Sequence, residues 1–177
     1  MRHILIALIL VLATVPACAQ DTEENVANCG NTHDDELIIS GCTGLLQAKP
    51  EISTDWQIIA YFGRGNAYSH KGLQDLAIAD FTNAIALKPD DTTILAHLHG
   101  AIGLAYYRKH LYAESITNIS TMITLKPDEG IGYVRRGSAY ELSGQRDKAI
   151  ADYRMALKFY PNDRILKTSL TRLGVNP

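Results

Sequence analysis

The side chains with the widest chemical reach in this sequence are its histidines, cysteines and carboxylates, and their spacing argues against most of what they are able to do. His97 and His99 stand two residues apart. On a helix such neighbours project in different directions and do not converge on one ion. His70 and His110 fall where separate helices are expected to end. The chain has no His-Glu-x-x-His, no metal-spaced set of cysteines and no phosphate-binding loop. Gly63-x-Gly65 follows no strand pattern, and a Gly-x-Ser-x-Gly nucleophile elbow is absent. Carboxylates are plentiful, but none is paired by its place in the sequence. Asn118-Ile119-Ser120 fits a glycosylation acceptor, yet it lies inside a helical pattern. The expectation is a binding protein with no catalytic residue, no metal ligand and no cofactor.

The beginning of the chain must be set aside before any fold argument. Arg2 gives a short positive start, and Ile4 to Val15 is an almost unbroken apolar run followed by Pro16-Ala17-Cys18-Ala19. Small residues at 17 and 19 suit a signal peptidase, so residues 1–19 read as a secretory signal peptide cut before Gln20. The run falls short of the ~20 apolar residues of a membrane-spanning helix, so no membrane insertion is expected after its removal. Val15-Pro16-Ala17-Cys18 also resembles a bacterial lipobox, which would anchor the chain by lipid through Cys18, although Pro16 departs from that pattern. Soluble export is preferred, with the periplasm as the expected compartment and full secretion as an alternative. Loss of Arg2 makes the chain one unit more negative than its formal −2, which leaves nothing to attract nucleic acid. Cleavage before Gln20 would leave Cys29 and Cys42 as a lone pair. In an oxidising compartment they are expected to form a disulfide that closes a short loop, worth roughly 3 kcal/mol in the chain-entropy model.

What positions everything else is an internal repeat. Tyr61-Phe62-Gly63-Arg64-Gly65-Asn66-Ala67-Tyr68, with Gly72, Ala77, Asp80-Phe81, Ala84 and Pro89 after it, overlays on Tyr133-Val134-Arg135-Arg136-Gly137-Ser138-Ala139-Tyr140, with Gly144, Ala149, Asp152-Tyr153, Ala156 and Pro161 after it. A weaker copy lies between them: Gly103, Ala105-Tyr106, Tyr112, Ser115, Ile119 and Pro127. From Pro127 to Pro161 is 34 residues, and from Pro89 to Pro127 is 38. A glycine inside a helix costs ~1 kcal/mol relative to alanine, a cost tolerated where a second helix must approach closely. Gly65 and Gly137 are read that way. Ala77 and Ala149 are the small residues opposite, with the aromatics supplying buried area. Gly72 and Gly144 end first helices, the prolines end second ones, and Asp90 or Asp91, Asp128, and Asn162 or Asp163 are candidate caps.

These residues resemble the tetratricopeptide repeat, a 34-residue helix-turn-helix with small, aromatic and proline positions in fixed places. The resemblance covers most of the chain after the signal peptide. It implies an all-α superhelical solenoid of three repeats, at residues 58–91, 92–129 and 130–163. Residues 20–57 would carry the second half of a degenerate copy (Asp35 to Leu46, closed by Pro50), and residues 164–177 a capping helix with Ile165, Leu166, Leu170 and Leu173 inward. The four extra residues of the middle copy, Thr92 to Leu95, are expected to lengthen its first helix. Arg64 with Asp80 and Arg136 with Asp152 recur together, while Ile102 and Asn118 replace both in the middle copy. That joint presence and absence points to a structural ion pair between the two helices of a copy.

In this family the first helix of each repeat lines a concave face. The resemblance therefore points to Phe62, Asn66, Ser69 and His70 of the first copy as groove residues, with Leu104, Tyr107 and Arg108 of the second, and Val134, Arg135, Ser138 and Glu141 of the third. Chaperone-binding members clamp a terminal carboxylate with five polar residues. Here Asn66 and Arg135 match, but Phe62, Ala101 and Ile131 take the other three places, so that mode is rejected. An apolar groove for an amphipathic or extended segment is expected instead. It implies a protein or peptide partner, unless the segment from Gln20 to Thr32 or a second subunit fills the groove; with the signal peptide and the paired cysteines, which give the compartment, the expectation is a scaffold or adaptor of the bacterial envelope. Self-assembly into a homo-oligomer is the alternative.

Overall fold

The computed structural model describes residues 17–31, 33–48 and 52–176, and these form helices joined by short turns, with no strand among them. The helices are α1 (Ala17–Cys29), α2 (Asp35–Gln47), α3 (Thr54–His70), α4 (Gln74–Ala86), α5 (Thr92–Arg108), α6 (Tyr112–Leu125), α7 (Gly130–Leu142), α8 (Arg146–Phe159) and α9 (Arg164–Arg172). Residues 1–16 of the expected signal peptide and Pro50 lie outside the described residues. None of the described helices is long and apolar enough to cross a membrane.

Side-chain oxygens set several helix starts. Asp34 accepts from the backbone N–H groups of Glu36 and Leu37, Ser53 from Trp56, Asp91 from Thr93 and Ile94, and Asp163 from Ile165 and Leu166. Helix α7 departs from the expected cap at Asp128: it starts after Glu129, whose side chain makes no capping bond. The turns between paired helices need a left-handed residue. Gly72 (φ 78°) and Gly144 (φ 76°) supply it in the outer copies, and His110 (φ 60°) in the middle one.

The helices pack as successive hairpins, α1 with α2 through α7 with α8, and α9 closes the end. The first helices α1, α3, α5 and α7 also touch one another in turn, while the second helices meet each other marginally at most. The stack therefore curves with the first helices inside. The N-terminal segment does more than the expected half-repeat: α1 completes a full hairpin with α2, joined by the Cys29–Cys42 disulfide (S–S 2.01 Å). The segment from Gln20 is thereby engaged with α2 and does not fill the groove of the later hairpins. Thr92 to Leu95 form the first turn of α5. That turn is not peculiar to the middle copy, since α3 has the same 17 residues and α7 has 13.

Close approach rests on the repeated glycines. A Cβ on Gly65 would stand 2.6 Å from the Phe81 ring, on Gly103 2.6 Å from Ile119 Cγ1, and on Gly137 2.8 Å from the Tyr153 ring. Each distance is shorter than packed carbon atoms allow, so the mid-helix glycine is what lets the facing side chain seat against backbone. Ala77, Ala84, Ala149 and Ala156 are fully buried beside these contacts. At the C-terminus Leu166 and Leu170 are buried, but Ile165 is 78% exposed, contrary to its expected inward place. Residues 166, 170 and 173 share one helical face, and residue 165 is rotated ~100° from that stripe.

Candidate functional site: the concave face

The inner face can present side chains only because other contacts fix the hairpins beneath it. Arg64 donates from Nε and Nη2 to the two carboxylate oxygens of Asp80, both at 2.8 Å, and from Nη1 to Thr43 Oγ1 of α2 at 3.0 Å. Arg136 repeats this on Asp152 at 2.7 and 2.9 Å, with Nη1 reaching Ser120 Oγ of α6 at 3.0 Å. Each guanidinium thus joins three helices. It also lies between two rings, Tyr61 and Tyr68 for Arg64, Tyr133 and Tyr140 for Arg136. The hydrogen bonds to Asp80 and Asp152 hold both guanidinium groups above their ordinary pKa. In the middle copy Ile102 joins the apolar core, and Asn118 accepts instead a contact from His99 Nδ1 at 3.2 Å.

Two apolar pockets open between neighbouring first helices. One, of about 200 Å³, lies between α5 and α7 and is lined by Leu104, Tyr107, Ile119, Val134, Arg135 and Ser138. The other, of about 120 Å³, lies between α3 and α5 and is lined by Ile58, Ile59, Phe62, Ile94 and His97. Phe62 is half-buried, its ring 5.8 Å from that of Phe81, so it belongs to the core as well as to the pocket wall.

The remaining residues expected in the groove divide by what holds them. Asn66 is half-buried on α3 and lines neither pocket. Ser69 is buried, and its hydroxyl and carbonyl oxygens both accept from Arg108 Nη1; this pair fastens α3 to α5. His70 is exposed at the end of α3, with Nδ1 3.2 Å from Asp35 Oδ1 of α2. Glu141 accepts from Arg172 Nε at 2.8 Å and Nη2 at 3.0 Å, and from the Tyr153 hydroxyl at 2.8 Å, so it anchors α9. The Arg172 hydrogen bonds hold the Glu141 carboxyl below its ordinary pKa. Burial, reinforced by Glu141, pushes the Tyr153 phenol up to about 12. Ser69, His70, Arg108 and Glu141 are therefore engaged in joints between helices.

Arg135 differs from the other arginines of the first helices. It is half-buried against α5, with Nη1 3.3 Å from where a Gly100 Cβ would stand, and no carboxylate among the described residues lies within ion-pairing distance of it. Burial, with Arg108 adding a like charge, pulls its pKa below the ordinary value. Sequence reasoning missed Ile119, which reaches the pocket floor from α6. The available signal was Gly103, whose missing side chain makes room for it. Among the described residues no group of three or more His, Cys, Asp or Glu converges to hold a metal ion.

Comparison with known proteins gives this architecture its family. Two family models described as tetratricopeptide repeat match residues 58–91 and 131–163. The Hsp70-Hsp90 organizing protein of Triticum aestivum is 30% identical over 107 residues, which is 60% of this chain but 18% of that protein. This chain thus spans less than a fifth of that relative. Among solved structures, the second TPR domain of human RPAP3, in complex with an HSP70 peptide, superposes with a TM-score of 0.62 at 25% identity, covering 70% of this chain and all of that one. MamA from Desulfovibrio magneticus superposes with a TM-score of 0.74 over 89% of this chain and 84% of its own, at 15% identity, a likeness of fold alone. The matched segments, the glycine-centred hairpins and the curved stack of first helices together identify residues 58–91 and 131–163 as tetratricopeptide repeats.

Proposed function

We propose that this chain is a non-enzymatic adaptor of the bacterial cell envelope that holds a segment of another protein in the concave face of its repeats. The observation that carries the reading is the pair of apolar pockets between successive first helices. Leu104, Tyr107 and Val134 wall one, and Ile59, Phe62 and Ile94 the other. Such clefts with a few polar groups suit a peptide whose side chains drop into them. The human RPAP3 domain was solved with a peptide bound, which supports the same use of the fold here. The envelope assignment rests on the expected signal peptide and on the joined Cys29 and Cys42, which suit an oxidising compartment.

Replacing Phe62 and Leu104 together with aspartate is expected to abolish partner capture in a crosslinked pull-down from the native envelope, while far-ultraviolet circular dichroism keeps the helical signal. Capture that survives the double replacement refutes the groove assignment. The mass of the mature chain separates soluble export, beginning at Gln20, from a lipid anchor on Cys18. A second reading, self-assembly, is favoured by Ile165, which stands 78% exposed on the closing helix. Light scattering that gives a concentration-independent monomer argues against it.

A further inference from the structure

We infer that the concave face selects a partner segment with two large apolar side chains about 15 Å apart and an internal aspartate or glutamate beside one of them, read by Arg135. This deepens the groove reading above and rests on it. The spacing comes from α5, which contributes to both pockets: Ile94 and His97 to one, Leu104 and Tyr107 to the other. The pocket centres are ten residues apart along that helix, or roughly 15 Å at 1.5 Å per residue. An extended partner spans this in four or five residues at ~3.3 Å each, and a helical one in ten or eleven. Between the pockets α5 carries Ala101, while Gly100 is buried and lets Met122 and Arg135 pack against the helix.

The charge requirement comes from the pocket wall. Arg135 is the pocket's charged group, set among Leu104, Tyr107, Ile119 and Val134. The other arginines of the first helices are committed elsewhere: Arg64 to Asp80, Arg136 to Asp152, Arg108 to Ser69. A guanidinium drawn partly out of water, beside a second cation and without a contacting carboxylate, gains most from an incoming anion. The acid that acts on it is Glu129, which is not in contact and itself lies 3.5 Å from His97. A carboxylate that arrives beside an apolar anchor completes the pocket. A basic segment is excluded by Arg135 and Arg108 together.

The test is selection of random 12-residue peptides, displayed without a free C-terminus, on the oxidised full chain, followed by fluorescence anisotropy of the enriched peptides. The expected consensus has two large apolar residues at one of these spacings and an acid adjacent to one. On the wild-type chain, changing that acid to its amide should weaken binding at least tenfold. The same change should have little effect on Arg135→Gln, a coupling that a merely structural arginine does not produce. Should Arg135→Gln fail to fold, the tenfold loss on the peptide side decides alone. Enrichment without an acid, or binding that appears only with a free terminal carboxylate, overturns the inference while leaving the groove reading intact. Peptides whose binding survives Leu104→Asp and Phe62→Asp, or a selection that yields none, remove both.

Discussion

The first and third repeats solve one packing problem in the same way, and the middle repeat solves it differently. In the outer repeats a bidentate arginine–aspartate pair joins the two helices, a glycine makes the turn, and alanine is buried at the closest crossing. In the middle repeat those places are taken by Ile102 and Asn118, by His110, and by Ser115. The fold survives because the two jobs of the ion pair are divided. Ile102 takes over packing, and His99 meets the polar atom of Asn118. The middle repeat also contributes α5, which walls both pockets. The hairpin with the least regular sequence thus carries the most of the candidate binding surface.

The largest expected effect comes from breaking an outer pair. Arg136→Ala leaves the Asp152 carboxylate, 6% exposed, without its cation, and should cost about 3 kcal/mol in urea unfolding. Imposing the middle repeat's solution with Arg136→Ile and Asp152→Asn together should cost less than that single change. The equivalent comparison at Arg64 and Asp80 should behave alike, and additive losses would show that the pair does not act as a unit.

A second difference shows at high pH. The third repeat seats Tyr153 where the first has Phe81 and the middle Ile119. Its phenol titrates at about 12 when folded, against ~10 for an unperturbed tyrosine. The proton is therefore held more tightly by the folded state. Stability is full below pH ~10 and is lost as pH rises from there toward 12. Tyr153→Phe should flatten that decline, measured as melting temperature across the interval. An unchanged decline would assign alkaline lability to other groups.

Two smaller changes should make the middle repeat more like its neighbours. The Ser115 hydroxyl is fully buried without a hydrogen-bond partner among the described residues, so Ser115→Ala should stabilise the fold by about 1 kcal/mol. His110 occupies a left-handed conformation that side chains with a Cβ disfavour. His110→Gly should stabilise by about 0.5 kcal/mol, the gain being reduced by glycine's larger entropy in the unfolded chain. A loss at either position, in the same urea titration, would mean that the departure is an adaptation and not a tolerated defect.

These contrasts also mark what was legible beforehand. Repeat boundaries and the helical class follow from small, aromatic and proline residues at fixed intervals, because local backbone preferences and close crossings leave little choice at those places. Joint substitution of positions 64 and 80 with their equivalents pointed to a contact that the coordinates bring within 2.8 Å. The full α1–α2 hairpin was not legible, since Ala17–Cys29 has no repeat signature and becomes a first helix by packing on α2. Nor was the engagement of Ser69, His70, Arg108 and Glu141, which face partners between 31 and 39 residues away in the chain.

The amino-acid order by itself determined the repeat period, most helix ends within it and how closely the two members of a hairpin approach, since those features depend on residues within one 34-residue period. Tertiary structure alone decided which polar side chains on the inner face remain available. That depends on distances between separate hairpins, and it left Arg135 in an apolar wall while its neighbours found partners.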